Sequence, residues 1–299
     1  MREIAYSAIW DFPGKDCGQK PTEEFKLLLE KRVAVITGSA NGMGKAMAQK
    51  FAGEGCDIVV ADINLEGAKK VAEELNAMGR KAVAIQVDMC SSAEIKSMID
   101  QSIKEFGRID ILVNNAGAAG GASLEASDED EWDRVLALNL KGAFIACKSA
   151  VPHMKKQGYG KIINVSSMGA VRPSVSVMAY HSAKAGILGL TLNLAFELAP
   201  FNIYVNCIVP GPIQTPFWDP LSKGMSPETK KAFFAALAKK EVPLGRMGTP
   251  DDIAGPALFF ASDLSSYVTG QVLCVAGGQP GITSEMTFIS SEESNKFRQ

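Results

Sequence analysis

Histidine and paired cysteine are scarce in this chain of 299 residues. It contains two histidines and six cysteines, and no two cysteines form a C-x-x-C pair. A zinc site needs several such ligands close together, and a disulfide framework needs ordered cysteine pairs. We therefore expect no bound metal, and reduced thiols of the kind found in cytoplasmic proteins.

An excess of one charge and a long hydrophobic run are also lacking. Lys and Arg number 31 against 33 Asp and Glu, a formal net charge of −2, which offers no general attraction to nucleic acid or acidic membranes. The longest uncharged stretch, 264–284, contains Gly, Ser, Thr, Gln and Pro, which is untypical of a membrane-spanning helix. The starting segment MREIAYSAIW lacks the apolar region of a signal peptide. We expect a cytoplasmic protein without nucleic-acid or membrane partners.

Apolar residues are plentiful, at 46% of the chain, and their pattern indicates the fold class. Short, continuously apolar, β-branched runs alternate with longer helical stretches, as in parallel strands buried on both faces. This alternation implies right-handed βαβ crossovers. We predict an α/β fold, a single Rossmann-type doubly wound domain whose seven-stranded parallel sheet is flanked by helices. The predicted strands are 33–37, 57–61, 82–87, 109–113, 161–165, 203–207 and 271–275.

Three segments depart from this pattern and set the predicted domain boundaries. Residues 1–31 form an N-terminal extension, near whose end we predict a short helix capped at Thr22. The domain itself covers 32–278, and 279–299 form a polar C-terminal tail. Within the domain, a loop of about 210–245 is rich in Pro, Gly and aromatic residues. Such long loops beyond strand ends usually have functional roles.

A glycine-rich turn joins the first predicted strand to a helical segment, 45–51. Its sequence, T-G-S-A-N-G-M-G at 37–44, places three glycines where the backbone can approach a pyrophosphate at a helix N-terminus. The spacing is G-x-x-x-G-x-G, and its position in the first βα unit strengthens the assignment. The candidate cofactor contacts in this turn are Gly38, Asn41, Gly42, Met43 and Gly44.

Asp62 ends the second predicted strand, 18 residues after Gly44. An acid at this place can accept both ribose hydroxyls of the adenosine half, and it repels a 2′-phosphate. Neither 39–43 nor 63–67 contains Lys or Arg to bind that phosphate. We therefore predict NAD rather than NADP, the alternative being that Asp62 only caps the next helix.

Further candidates for the adenosine half follow the second and third strands. Ile63 stands beside Asp62, Asp88 could bond the adenine amino group, and Met89 could supply backbone contacts. Helix capping is the alternative for Asp88.

Tyr180 and Lys184 are spaced i, i+4 and therefore project from one face of a helix. A free tyrosine has a pKa of about 10 and is a poor base near neutrality. A neighbouring ammonium favours the phenolate and lowers that pKa. We predict that Lys184 activates Tyr180 and also binds the nicotinamide ribose. The alternative for Tyr180 is an ordinary half-buried surface tyrosine.

Taken together, these segments resemble the short-chain dehydrogenase/reductase family over nearly all of 32–278. The matching motifs are T-G-x-x-x-G-x-G at 37–44, N-N-A-G at 114–117, L-N-L-K-G at 138–142, S-S at 166–167, Y-H-S-A-K at 180–184 and P-G at 210–211. The resemblance implies a reversible conversion of an alcohol to a ketone. It also implies a homotetramer or homodimer, joined through helices around 128–155 and 178–199.

The resemblance also assigns residue roles. Ser167, 13 residues before Tyr180, is implied as the catalytic serine that holds the substrate oxygen, with Ser166 as local support. Asn139 would bind a water that carries the proton from Lys184 to solvent; a structural, helix-bending asparagine is the alternative.

Two further segments would complete the cofactor site. Thr215 would bond the nicotinamide amide, and N-N-A-G would close the site, with a structural role as the alternative. The residues concerned are Asn115, Ala116, Gly117, Pro210, Gly211, Ile213 and Thr215. Ala276 replaces the Asp usual before Gly277, and His181 is expected to pack or lie at the surface.

The substrate side is apolar in sequence. Segment 168–178 is mostly apolar apart from Arg172, and Ile213, Phe217, Trp218 and Met225 follow Pro210. We expect a pocket for a bulky secondary alcohol such as a steroid or bile acid. A 3-oxoacyl-carrier-protein reductase and a non-catalytic dinucleotide-binding sensor are the alternatives.

Overall fold

The structure, a computed structural model, describes residues 27–279 except 173, 175 and 176. Seven parallel strands form one sheet in the order β3-β2-β1-β4-β5-β6-β7. This confirms the predicted seven-stranded parallel sheet. The strands are β1 Val33–Thr37, β2 Asp57–Asp62, β3 Ala82–Gln86, β4 Ile111–Asn114, β5 Gly160–Val165, β6 Ile203–Pro210 and β7 Val272–Val275.

Helices cover both faces of the sheet. They are α1 Gly42–Gly53, α2 Leu65–Ala77, α3 Ser92–Phe106, α4 Glu129–Leu136, α5 Gly142–Gln157, α6 Met178–Leu198, α7 Pro227–Glu241 and α8 Pro250–Ala261. A π-helical turn, Ala137–Lys141, joins α4 to α5. The first helix begins earlier than the predicted 45–51, so that Gly42 and Gly44 lie in its first turn.

The strand β1 shows how the two core layers form. Its residues alternate between the faces, with Ala34 and Ile36 packed among α1, α2 and α8, and Val35 among α3, α5 and α6. The strand order reverses between β1 and β4, and ligands of such sheets bind at the carboxyl ends of the strands beside that point. The fold therefore brings the glycine turn after β1 next to the segments after β4 and β5.

The predicted N-terminal helix is not present where the structure describes its residues. Leu27–Arg32 form a turn in which Leu29 is buried and its N–H donates to the Glu54 carbonyl at 2.9 Å. The rest of that predicted helix, including Thr22, and the tail residues 280–299 lie outside the described residues.

One continuous helical run, Glu129–Gln157, is long and apolar enough by length and composition to cross a membrane. It combines α4, the π-helical turn and α5, and its residues Ala146, Cys147 and Ala150 are buried in the core against the sheet. Core helices of folded domains satisfy the same criterion, and this run packs as one of them.

Candidate active site

The turn between β1 and α1 is a cradle that only glycine fits. Gly38 and Gly42 have φ of +65° and +54°. A Cβ atom on Gly44 would lie 2.2 Å from the Gly38 carbonyl oxygen, and one on Gly38 would lie 2.8 Å from Ala116 Cα. The missing side chains leave the backbone open to close approach by a ligand.

Asn115 closes the cradle and points to a bound group. Its Nδ2 donates to the carbonyl oxygens of Thr37 and Gly38, both at 2.9 Å. Its Oδ1 is buried without a hydrogen-bond partner, which is uncommon and marks a place for a ligand donor. The N-terminus of α1 begins in this cradle, so the positive end of the helix dipole faces it. No acidic residue in the first turn offsets that charge. These residues fit a dinucleotide pyrophosphate.

Thr37 is a supporting residue that sequence reasoning missed. Its hydroxyl accepts from the N–H groups of Asn115 and Ala116, both at 3.1 Å, and donates to the Val113 carbonyl at 3.2 Å. It therefore ties N-N-A-G to the end of β1. The sequence feature that could have pointed to this role is the position of Thr37 at the start of the glycine motif.

Asp62 lies buried at the end of β2, beside the cradle. One carboxylate oxygen accepts from Ala40 N and the other from Asn64 N, each at 2.9 Å. Each oxygen retains acceptor capacity for a ribose hydroxyl. Asp62 thus supports the start of α2, as the capping alternative proposed, and remains available to a ligand.

The other residues predicted to contact the adenosine half have different environments in the structure. Ile63 exposes 64% of its surface next to Asp62, an apolar face for an adenine ring. The Asp88 carboxylate, by contrast, accepts from Cys90 N at 2.8 Å in the turn that leads into α3. Met89 is buried against Gly142. Asp88 therefore braces the turn before α3, and the N-cap of that helix is Ser91.

Tyr180 and Ser167 meet at the carboxyl end of the sheet. Ser167 follows β5 and Tyr180 lies in the first turn of α6. Burial raises the pKa of Tyr180, and a hydrogen bond with the Ser167 side chain lowers it by less. The resemblance implied that both residues belong to the site, and the structure brings them to the same edge of the sheet.

Lys184 lies near the Tyr180 ring, and its ammonium bonds to the backbone. Its Nζ donates to the Val165 carbonyl at 3.0 Å and lies 5.8 Å from the centre of the Tyr180 ring. Burial lowers the pKa of Lys184 to about 8, so desolvation controls both groups. Ser166 donates to the Lys184 carbonyl at 2.7 Å, the local support expected of it.

Asn139 lies on the π-helical turn, a feature common at functional sites. Its Nδ2 donates to the carbonyls of Val135 and Ala118, at 3.0 and 3.1 Å. Its Oδ1 is buried without a partner. A Cβ on Gly117 would lie 2.5 Å from this oxygen and 3.1 Å from Lys184 Nζ. Asn139 and Lys184 thus border one small space, as a water-mediated proton path requires.

An aromatic wall stands beside Tyr180. The Phe217 ring lies 5.8 Å from the Tyr180 ring, and Trp218 packs edge-on against Phe217 and against Phe234 of α7. The indole N–H of Trp218 donates to the Ile213 carbonyl at 2.8 Å. The Ile213 side chain is itself buried in the core against Gly248, and so it does not line the predicted pocket.

The remaining candidates frame the site. Thr215 lies against Gly42, with its methyl group 3.3 Å from where a Cβ on that glycine would be. Gly211 N donates to the Val275 carbonyl at 3.0 Å, and a Cβ on Gly211 would lie 2.8 Å from Ala276 Cα. These contacts place the start of the 210–245 loop between the glycine cradle and the end of β7.

His181 has a packing role. Its ring covers Gly169, where a Cβ would lie 2.3 Å from His181 Cδ2, and its Nδ1 accepts from Ser174 N at 3.4 Å. Over the described part of the chain, no group of three or more His, Cys, Asp or Glu side chains is placed to hold a metal ion.

Comparisons with known proteins agree with this geometry. A family model described as enoyl-(acyl carrier protein) reductase matches residues 38–279. The chain is 42% identical over 251 residues to (2S)-[(R)-hydroxy(phenyl)methyl]succinyl-CoA dehydrogenase subunit BbsD of Thauera aromatica, covering 84% of this chain and 97% of that one. It is 41% identical over 250 residues to 3-oxoacyl-[acyl-carrier-protein] reductase FabG of Thermotoga maritima, covering 84% and 98%.

A solved structure supports the same relationship. A 7α-hydroxysteroid dehydrogenase complexed with NADH and 7-oxo glycochenodeoxycholic acid superposes with a TM-score of 0.77 and 37% identity, over 85% of this chain and 96% of that one. The glycine cradle, the Ser167–Tyr180 pair and Lys184 occupy the carboxyl end of the same kind of sheet. The chain therefore belongs to the short-chain dehydrogenase/reductase family of nicotinamide-dependent oxidoreductases that act on CH–OH groups.

Proposed function

We propose that this protein interconverts a secondary alcohol and a ketone with NAD(H), on a bulky apolar substrate such as a hydroxysteroid or bile acid. The observation that carries the proposal is the Phe217 ring, 5.8 Å from the Tyr180 ring and backed by Trp218. An apolar wall at the reacting position favours a substrate with a ring system next to its hydroxyl-bearing carbon. The similarity to a 7α-hydroxysteroid dehydrogenase supports this substrate class.

The residues divide the chemistry among them. The bound nicotinamide supplies the hydride acceptor in oxidation and the hydride donor in reduction. Tyr180 takes the hydroxyl proton of the alcohol, and Ser167 donates a hydrogen bond to the substrate oxygen, where charge develops. Lys184 and the free Oδ1 of Asn139 hold the water path by which that proton reaches solvent. In reduction the same groups return the proton to the substrate oxygen.

A preference for NAD is part of the proposal. Asp62 is the residue proposed to bind the ribose of the adenosine half, and a carboxylate at that place repels a 2′-phosphate. On the neighbouring helices, Lys45 of α1 pairs with Glu74 and Lys69 of α2 pairs with Glu66, each at 2.8 Å.

Reduction of a carrier-bound or CoA-bound 3-oxoacyl group is the second candidate. The similarity to the Thermotoga maritima reductase and to the Thauera aromatica dehydrogenase subunit favours it. The acidic start of α4 weighs against an acidic carrier, because Glu131 reaches the loop at Gly120, which runs on from N-N-A-G. A sensor without catalysis is disfavoured by the intact set of Asn139, Ser167, Tyr180 and Lys184.

The test is turnover over a panel of hydroxysteroids, bile acids, other secondary alcohols and 3-hydroxyacyl thioesters, each with NAD and with NADP. We expect turnover of a ring-bearing alcohol with NAD, and Tyr180→Phe should lower kcat by about 10²–10⁴-fold. Turnover of thioesters alone would establish the second candidate. Tight NADH binding without turnover of any alcohol or thioester would favour the sensor.

We further propose a homotetramer or homodimer, located in the cytoplasm and without nucleic-acid or membrane partners. Three apolar side chains are exposed on α5 and α6, Phe196 by 90%, Leu192 by 51% and Phe144 by 44%. Covering them with a second copy would remove apolar surface from water. Light scattering that finds a monomer at working concentration would contradict this assembly.

A further inference from the structure

Polar side chains form a buried bridge between β5 and α6, away from the reacting groups. Asn164 of β5 donates through Nδ2 to Thr191 Oγ1 at 3.0 Å, and Thr191 donates to the Ile187 carbonyl at 2.8 Å. Asn164 and Thr191 are fully buried. Neither residue has a role in the chemistry described above.

The bridge continues through the sheet to the opposite helix. Asn114 of β4 donates to Asn164 Oδ1 at 2.8 Å and to the Cys147 sulfur of α5 at 3.3 Å. Cys207 of β6 lies opposite Asn164 in the sheet register. Thr191 is thus the point at which α6 joins a hydrogen-bond network that reaches β5, β4 and α5.

Such a hydrogen-bonded bridge supplies a directional restraint, which apolar packing lacks. Burying an amide and a hydroxyl costs free energy unless both are hydrogen-bonded, and hydrophobic contact is non-directional. Three of the apolar residues that α6 buries are alanines, Ala179, Ala183 and Ala195, whose small side chains restrain sliding or rotation weakly. The directional bond at Thr191 fixes both the height and the rotation of the helix against β5.

The residues that follow Asn164 contact the catalytic end of the same helix. The Val165 carbonyl accepts from Lys184 Nζ, Ser166 donates to the Lys184 carbonyl, and Ser167 bonds with Tyr180. Thr191 lies two turns beyond Lys184, about 10 Å along the axis. Each of these contacts depends on the height and rotation of α6 against β5.

We propose that Thr191, held by Asn164, is a positioning residue that sets the register of α6 on β5 and so places Lys184 and Tyr180 in the active site. The proposal depends on the family chemistry and is independent of which alcohol the enzyme uses. The groups that face the Lys184 ammonium are Tyr180 on its own helix, Cys207 of β6 and Asn139 of the π-helical turn.

The test compares Thr191→Ala with Thr191→Ser, which differ only in the hydroxyl. Full-length protein labelled with [ε-13C]lysine is titrated by NMR between pH 6 and 10, and Lys184→Met identifies the Lys184 signal. We expect the midpoint of the Lys184 titration to fall by at least about half a pH unit in Thr191→Ala, because the ammonium loses its hydrogen bond to the Val165 carbonyl. In Thr191→Ser it should stay at the wild-type value.

A second readout uses any alcohol that the wild type oxidises. Because misplacing catalytic groups by about 1 Å costs up to 10²-fold, kcat should fall about ten-fold in Thr191→Ala at unchanged KM, and Thr191→Ser should restore it. Ile187→Val, on the same buried face, is the control for lost packing and should leave the Lys184 titration midpoint unchanged.

An unchanged Lys184 midpoint in Thr191→Ala, or an equal shift of that midpoint in the Ala and Ser variants, would overturn the proposal. If Thr191→Ala does not fold, Thr191→Val is compared with Thr191→Ser instead, because Val also lacks the hydroxyl.

Discussion

At the scale of single residues, this active site is controlled by desolvation. The pKa of Tyr180 is raised and that of Lys184 is lowered to about 8, and in both cases burial is the largest cause. Ser167 opposes the shift at Tyr180 through a hydrogen bond, whereas Lys184 gives its own bond to the Val165 carbonyl. The spacing of Tyr180 and Lys184 predicts that they share one helix, but it carries no information on desolvation, which depends on everything packed around them.

Asp62 provides a test at this scale. In Asp62→Asn the side chain keeps an acceptor oxygen but loses the charge that repels a 2′-phosphate. We expect the ratio of kcat/KM for NAD to that for NADP to fall about ten-fold, which corresponds to roughly 1.4 kcal/mol of charge interaction. The matched control is Asp57→Asn at the other end of β2, where the carboxylate also accepts a backbone N–H, from Lys81 at 2.9 Å. A ratio that falls equally in both variants, or in neither, would contradict the role given to Asp62.

At the scale of elements, the short sequence motifs of the site are held in place by hydrogen bonds between neighbouring segments. The glycine turn, the π-helical turn and the β5–α6 junction each hold polar atoms within about 3 Å of one another across different segments, as hydrogen bonding requires. Such contacts tolerate little added volume. Substitutions there should therefore affect ligand binding more than similar changes elsewhere on the same element.

Two glycines of α1 make that comparison directly. In Gly44→Ala the new Cβ would meet the Gly38 carbonyl, so the cradle must open and NADH affinity should fall at least about ten-fold. In Gly53→Ala the new Cβ meets only Met78 Cε at 4.0 Å. That variant should bind NADH like the wild type and be more stable by about 0.5–1 kcal/mol. Fluorescence titration and urea unfolding measure the two effects; equal affinity in both variants would refute the close-approach role of Gly44.

Lys161 of β5 gives a prediction about pH and stability. It is buried, it donates to the carbonyl and hydroxyl of Ser265 at 3.3 and 3.2 Å, and burial lowers its pKa to about 8. Because this folded-state pKa lies below the unfolded value of about 10.5, the unfolded state binds more protons between pH 8 and 10.5. The contribution of Lys161 to stability therefore rises with pH through that window and is least favourable below pH 8.

The measurement is the difference in unfolding free energy between wild type and Lys161→Met, taken from urea titrations at several pH values. We expect this difference to change by roughly 1–3 kcal/mol in favour of the wild type from pH 7.5 to 10. Taking the difference cancels the titration of other groups. A difference that is independent of pH would show that Lys161 keeps an ordinary pKa.

At the scale of the whole molecule, the exposed apolar side chains of α5 and α6 are the proposed contact between copies of the chain. Phe196→Asp places a charge in the centre of the proposed contact and should lower the mass found by light scattering, because a buried unpaired charge is costly. Met78→Asp, at the end of α2, changes an exposed apolar residue outside that surface and is the control. An unchanged mass in Phe196→Asp would exclude α6 from the interface.

The sequence by itself determined the architecture and predicted which groups react. Seven apolar runs in alternation with helical stretches specify a parallel sheet, since a strand buried on both faces must be apolar throughout. Motif spacing places Ser167, Tyr180 and Lys184 together, because residues after β5 and in the first turns of α6 meet at one edge of that sheet. These conclusions depend on local periodicity and chain order, which a sequence displays directly.

Only the tertiary structure decided the contacts between distant segments. It turned Ile213 into the core, bonded Asp88 to Cys90 N in the turn before α3, placed Phe217 against Tyr180 and joined Thr191 to Asn164. It also buried Tyr180, and that burial raises its pKa. The physical reason is common to all of these: packing direction, desolvation and hydrogen-bond partners depend on which residues meet in space, and no local pattern in the chain records that.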